Sequence, residues 1–276
     1  MKPHHLLLTL ALALCAITFS RNIAAQEPPP PPEPANYAFA AYMGSGLYSA
    51  TDSSLFVLNM ATHFDIQDRD ERIRLSASAG FFDYSQDNIE GLELPDHIGT
   101  LTLIPGLERI FYVHQDFKVI PHIDYGYAKN FSTKEEAQVY SVGIRSRYTT
   151  RGKHDDHLWF NSLLLAGYRT FSSDQEDNYV KLLTGYDYKI PKHFLIGNHK
   201  IVPTVYGHAS WSYNGIDYFE EWKSNSGNDL NYEVGITLKA PTPIDLWITD
   251  MDRLGLGVQH NPFGTVIRLF FGSPFL

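Results

Sequence analysis

From residue 37 onward the chain repeats one figure. Apolar and polar residues alternate for the length of a strand, turn residues follow, and the alternation resumes. The run Ile73-Arg74-Leu75-Ser76-Ala77-Ser78-Ala79 is an example. Successive side chains of a strand point to opposite faces, so Ile73, Leu75, Ala77 and Ala79 share one side and Arg74, Ser76 and Ser78 the other. Such runs cover residues 37–48, 55–64, 73–84, 98–112, 117–131, 138–149, 158–171, 179–188, 201–213, 230–239, 253–259 and 265–275. In the seventh, Leu163-Leu164-Leu165 fills both faces. Each is near the length a tilted strand needs to cross a bilayer. No apolar stretch of about eighteen residues follows residue 25, which excludes spanning by helices. The pattern predicts an all-β fold, a transmembrane antiparallel β-barrel of about 12 strands.

The N-terminus supplies the address. Lys2, an apolar stretch over residues 6–14, and Ile23-Ala24-Ala25 before Gln26 make a signal peptide over residues 1–25. Leu14 precedes Cys15 where a lipoprotein needs a small residue, so lipidation is not expected. Cys15 is the only cysteine and leaves with the signal, which removes disulfides, cysteine nucleophiles and cysteine metal sites from the mature chain. Residues 26–35 form a Pro-rich periplasmic linker, in which Pro28 to Pro32 hold polyproline II and cannot join a sheet. Residues 36–276 remain as one barrel domain. The signal carries Lys2 and Arg21 and no acid, so cleavage makes the net charge more negative than the −9 of the full chain. Nucleic acid is thereby excluded as a partner. The expected location is the outer membrane of a Gram-negative bacterium. The expected partners are its lipid and lipopolysaccharide, periplasmic chaperones and the barrel-assembly machinery.

An even strand count returns the C-terminus to the periplasmic side. Periplasmic turns then fall at residues 113–116, 191–200 and 240–243, and the longest outside loops at residues 85–97 and 214–229. Tyr48, Tyr84, Tyr112, Tyr127, Tyr148, Tyr188 and Tyr213 stand at run ends, where a ring with a polar tip suits the membrane interface.

The C-terminal stretch Arg253-Leu254-Gly255-Leu256-Gly257-Val258, followed by residues 264–275, resembles the closing hairpin of autotransporter-type outer-membrane barrels. The mature chain as a whole is similar to the solitary autotransporter-like β-barrel family, which has no passenger domain. That resemblance implies location and architecture and carries no established chemistry. It also implies an assembly signal in the last strand, at Phe271 and Phe275. The alternation places these on one face with Ile267 and Leu269. Leu276 after Phe275 shifts the terminal aromatic one place from the usual register.

Candidate chemistry is sparse. His208 and Ser210 share a strand face, the spacing that a His–Ser pair of an outer-membrane phospholipase or lipid A deacylase needs, with Glu220 or Asn214 as third member. The competing expectation makes them lumen-lining polar residues, with Val205, Trp211 and Tyr213 on the lipid side. His154-Asp155-Asp156-His157 and residues 68–72 read as solvated turns, since adjacent residues on a turn cannot converge on one ion. Asp174, Glu176, Asp177, Glu220 and Glu221 read as loop-solvating acids, with divalent ions bridging lipopolysaccharide as the sharper alternative. No cofactor and no metal is expected. The alternation assigns Arg74, Glu108, Lys118, His122, Asp124, Arg145, Arg147, Lys181, Asp187, Glu233 and Arg268 to the lumen. Both signs in similar number favour pairing across the lumen over a one-signed selective lining. The expected protein is a non-enzymatic barrel with a structural or narrow-channel role.

Overall fold

The computed structural model describes residues 38, 40–43, 45–49, 54–66, 69–82, 99–131, 133–151, 156–172, 174–196, 199–213, 228–245, 250–261 and 264–275. The expected signal peptide and linker, His154, Asp155, Asn214, Glu220, Glu221 and the loop over residues 85–97 lie outside them.

Where the sequence alternates, the chain forms strands. In chain order these are β1 (Gly46–Ser49), β2 (Ser54–Asp65), β3 (Glu71–Phe82), β4 (Thr100–Arg109), β5 (Phe111–His114), β6 (Phe117–Asn130), β7 (Glu136–Arg151), β8 (Asp156–Thr170), β9 (Glu176–Lys189), β10 (Phe194–Ile196), β11 (His199–Tyr213), β12 (Asn228–Asp245), β13 (Asp250–Asn261) and β14 (Gly264–Phe271). Each pairs antiparallel with its neighbours, β9 joins β11, and β14 joins β1, so the sheet comes back on itself. β5 continues the line of β4 along β6, and β10 is a short spur on β11. Among the described residues the result is an all-β, nearly closed antiparallel barrel of twelve staves. It is nearly closed because β1 and β14 meet at one rung, Leu47 with Ile267.

Period two sorts the side chains between two surroundings. Along β4, Leu101, Leu103 and Leu107 are exposed on the outer face while Thr102, Ile104 and Glu108 are buried inside. Ile123, Val142, Ile144, Val205, Val234, Ile236, Leu256, Ile267 and Leu269 extend that outer apolar belt around the barrel. Tyr148, Trp159 and Tyr188 flank it near one end, and Tyr127, Phe171, Tyr213 and Tyr232 near the other. An apolar band between aromatic girdles is how a barrel meets a bilayer.

Three expectations are corrected. Residues 37–48 do not form one strand: Ala40–Met43 is a single helical turn, α1, and only Gly46–Ser49 is extended. A turn this short does not stand on propensity and needs tertiary packing. Ala38, Ala41 and Tyr42 supply it by burying themselves with Ile104, Ala128, Val139 and Tyr179. Residues 240–243 are not a turn, because β12 runs through them to Asp245 with a register shift between Lys239 and Ile244. Pro241 and Pro243 have no amide to give the ladder, and an irregularity is where a sheet tolerates them. Phe275, finally, does not share the outer face of β14: the strand ends at Phe271 and Phe275 is buried.

Candidate functional site

The inner face of the barrel gathers the charged residues. Asp124 on β6 accepts hydrogen bonds from Arg74 Nη2 of β3 at 2.9 Å and from Ser141 Oγ of β7 at 2.8 Å. His122 Nε2 lies 3.9 Å from the same carboxylate. Glu108 on β4 takes Arg145 of β7 on one oxygen, and His63 Nδ1 of β2 stands 3.3 Å from the other. Farther round the wall, Glu233 on β12 accepts from Arg268 Nη1 at 2.6 Å and from the Tyr206 hydroxyl, with His208 Nε2 at 3.7 Å. Asp187 on β9 accepts from Arg253 Nη1 of β13 at 2.7 Å. Four lumen carboxylates therefore each hold an arginine. For pairs this buried, removing one partner leaves the other's charge uncompensated.

Lys181 lies on the lumen face of β9. Arg147 sits over the Phe160 ring, its guanidinium carbon 5.9 Å from the centroid. Lys118 lies at the β5–β6 end with its ammonium 4.8 Å from the Tyr112 ring centre.

Glycines facing these groups make the room. A Cβ on Gly106 would overlap the Asp124 carboxylate, one on Gly143 the His122 ring, and one on Gly257 the Tyr206 hydroxyl and Glu233. Gly106→Val is accordingly expected to push Asp124 off Arg74 and destabilise the barrel by about 1–3 kcal/mol. The measurement is the urea midpoint for loss of the heat-modifiable form on gels. Gly207→Val is the matched control, since a Cβ there meets nothing nearer than 3.7 Å; an equal loss in both variants would contradict the packing account.

α1 and the C-terminal tail pack inside the barrel at different places. α1 brings Tyr42 to 6.1 Å from the Tyr179 ring, beside the hairpins that join β6 to β7 and β8 to β9. At the C-terminal end, Gly272 takes φ +84°, a left-handed conformation that favours glycine, and donates its N–H to Arg253 O at 2.9 Å. That turn sends the tail inward. Phe275 stacks on Phe160 with centroids 5.0 Å apart and lies edge-on to Tyr206 at 6.3 Å. Gly185 is bare where a Cβ would strike the Phe275 ring.

The remaining candidates fall as follows. His208 and Ser210 both sit on the lumen side of β11, and no hydrogen bond joins them. Their strand's outer face carries Val205 and Tyr213. His157 stacks on Tyr188 at 4.4 Å and accepts the Lys189 amide on Nδ1. Asp174 binds Arg169, and Asp177 accepts the Asn178 amide. Among the described residues no group of three or more His, Cys, Asp and Glu side chains is arranged to hold a metal. A cavity of about 410 Å³ opens at the β2–β3 end, lined by Asp65, Arg69, Asp70, Arg72, Ile110 and Tyr112, with Arg72 paired to Asp65 at 2.7 Å.

Sequence reasoning missed Arg253, His63, Tyr206 and Ser141 as members of these clusters. Arg253 had a signal: it alternates with Leu254 and Leu256 and so belongs on the same inner face as Gly255 and Gly257.

No family model matches the chain, and no curated protein matches it. Among solved structures it is similar to the siderophore receptor PirA from Pseudomonas aeruginosa, at 12% identity and a TM-score of 0.36 over 80% of this chain and 37% of the receptor. It is also similar to the transport unit of the autotransporter AIDA-I from Escherichia coli, at 11% identity and a TM-score of 0.33 over 85% of this chain and 78% of that one. The chain thus spans little more than a third of the receptor's length, and both likenesses are distant. By its own geometry, an apolar belt outside and an ion-paired interior within one ring of strands, the chain has the architecture of an outer-membrane β-barrel.

Proposed function

We propose that this protein is an integral outer-membrane β-barrel of autotransporter-like type, whose role is structural and whose lumen is held shut. The observation that carries the reading is the pairing of Arg74, Arg145, Arg253 and Arg268 with Asp124, Glu108, Asp187 and Glu233. Fixed charges of one sign facing water would make a selective conduit. Charges neutralised in pairs, between α1 and the inturned C-terminal tail, fill the space instead. The chain reaches the membrane through its signal peptide and the periplasmic insertion machinery, and its outer loops face lipopolysaccharide.

Planar-bilayer recording of the refolded barrel tests this. The unsubstituted protein is expected to show no steady conductance, and Arg145→Ala/Arg147→Ala to stay closed. Three arginine–carboxylate pairs, α1 and the C-terminal tail would still occupy the lumen of that variant. A steady open level in the unsubstituted protein, altered by the double substitution, would replace the closed reading with a narrow charged channel. Lipid hydrolysis is not expected, because His208 and Ser210 face away from lipid; phospholipid or lipid A turnover abolished by Ser210→Ala would reverse that.

A further inference from the structure

β1 is too short for its place in the wall. It spans four residues, whereas β2 beside it spans twelve and β14 eight. β1 covers β2 only over residues 54–57 and meets β14 at Ile267. Below that level, residues 58–65 of β2 and 268–271 of β14 face each other across a seam with no strand between them among the described residues. One rung is patched by a side chain. Ser45 Oγ accepts the Asn59 amide at 2.8 Å and donates to the Asn59 carbonyl at 2.9 Å. Asn59 thus turns its backbone groups to the seam, and the antiparallel ladder's alternation turns those of Ala61, His63 and Asp65 the same way. The outer side chains here, Met60 and Phe64, are exposed with the apolar belt. Open strand edges do not persist against lipid.

The residues just before β1 fit the gap. Carried back in its own register, β1 would set Met43 opposite Met60 on one side and Phe271 on the other, and Ala41 opposite Thr62. Leu47 pairs with Ile267, which is exposed on the outer face, so Met43 and Ala41 would join that face while Tyr42 and Ala40 turned inward. The same residues are instead wound into α1, which lies inside against β2, β3 and β4. Asn59 Nδ2 holds the Ala41 carbonyl there at 2.6 Å.

We propose that α1 exchanges between two sites: a helical turn packed in the lumen, and a strand that extends β1 down the seam between β2 and β14. The strand form adds backbone pairing along the seam, where no described strand lies between β2 and β14, and the helical form keeps the Tyr42–Tyr179 contact and the Asn59 cap. Closing the seam and plugging the lumen are therefore alternatives for one segment. The exchange goes beyond the closed-lumen reading and stands without it, because its readouts do not depend on conductance.

Two cysteine pairs in the full barrel separate the forms. Tyr42→Cys/Tyr179→Cys reports the helical site and Met43→Cys/Phe271→Cys the seam. Under mild oxidation in lipid vesicles, each pair is expected to cross-link in a substantial fraction of heat-modifiable protein, with single-cysteine variants unlinked. As a readout free of cysteines, alanine-selective 13C NMR of the unsubstituted barrel is expected to give Ala41 two Cα resonances, one helical and one extended. Cross-linking of one pair only, together with a single Ala41 resonance, would overturn the exchange, whichever form it reported. If a cysteine pair fails to assemble, the NMR spectrum decides alone.

Discussion

Glu233→Gln is expected to lower the stability of the refolded barrel by about 3–5 kcal/mol, the cost of removing one partner from a buried ion pair. The substitution preserves volume and removes only charge. Glu233 is 1% exposed and serves Arg268, Tyr206 and His208 together. A neutral amide in its place would leave the Arg268 guanidinium, 3% exposed, without its carboxylate, and Lys181 adds a second cation on the same inner wall. The loss should appear as a lower urea midpoint for the heat-modifiable form, with little change in slope. Glu233→Gln/Arg268→Met is expected to recover most of it, since removing both ends of a buried pair is often close to neutral. The double-mutant cycle therefore yields a large coupling between the two positions. A midpoint unchanged by Glu233→Gln would mean that water reaches this part of the lumen and screens the pair, and would reopen the channel reading.

The strands were legible because two solvents impose the period. Lipid outside and a polar lumen inside write Leu101, Leu103 and Leu107 against Thr102 and Glu108, and the same contrast marks β3, β6 and β7. The inward side of Arg74, Asp124, Arg145 and Glu233 follows from that period alone. Which cation meets which carboxylate does not. Arg145 reaches Glu108 across β6, and Arg253 reaches Asp187 past β11 and β12, contacts set by strand stagger that no local pattern encodes. The pattern also fails where both surroundings are protein. Ala41 and Met43 alternate as a strand should, yet Ala41 and Tyr42 lie in an apolar pocket inside the barrel rather than at the rungs offered by the seam. Pro241 and Pro243 look like a turn because the irregularity that accommodates them is a property of the β12–β13 pair.

Phe275→Ala is expected to cost the barrel about 3–5 kcal/mol, the range for truncating a buried phenylalanine whose site cannot collapse. Collapse is resisted here because the walls are strands fixed in register, with Gly185 shaped to the ring and Phe160 stacked parallel to it at 8°. Phe275→Leu keeps much of the volume and is expected to lose roughly half as much. These variants also divide two roles for the residue. An aromatic read only by the assembly machinery would, when lost, lower the amount of barrel inserted in cells and leave the midpoint of protein refolded from urea unchanged. A ring that closes the lower lumen lowers that midpoint in pure detergent, where no machinery is present. The geometry argues for the second effect: a side chain 5% exposed, turned inward by Gly272 and set among Phe160, Tyr206 and His208, is part of the interior. Equal midpoints for Phe275→Ala and the unsubstituted protein would return Phe275 to the assembly signal.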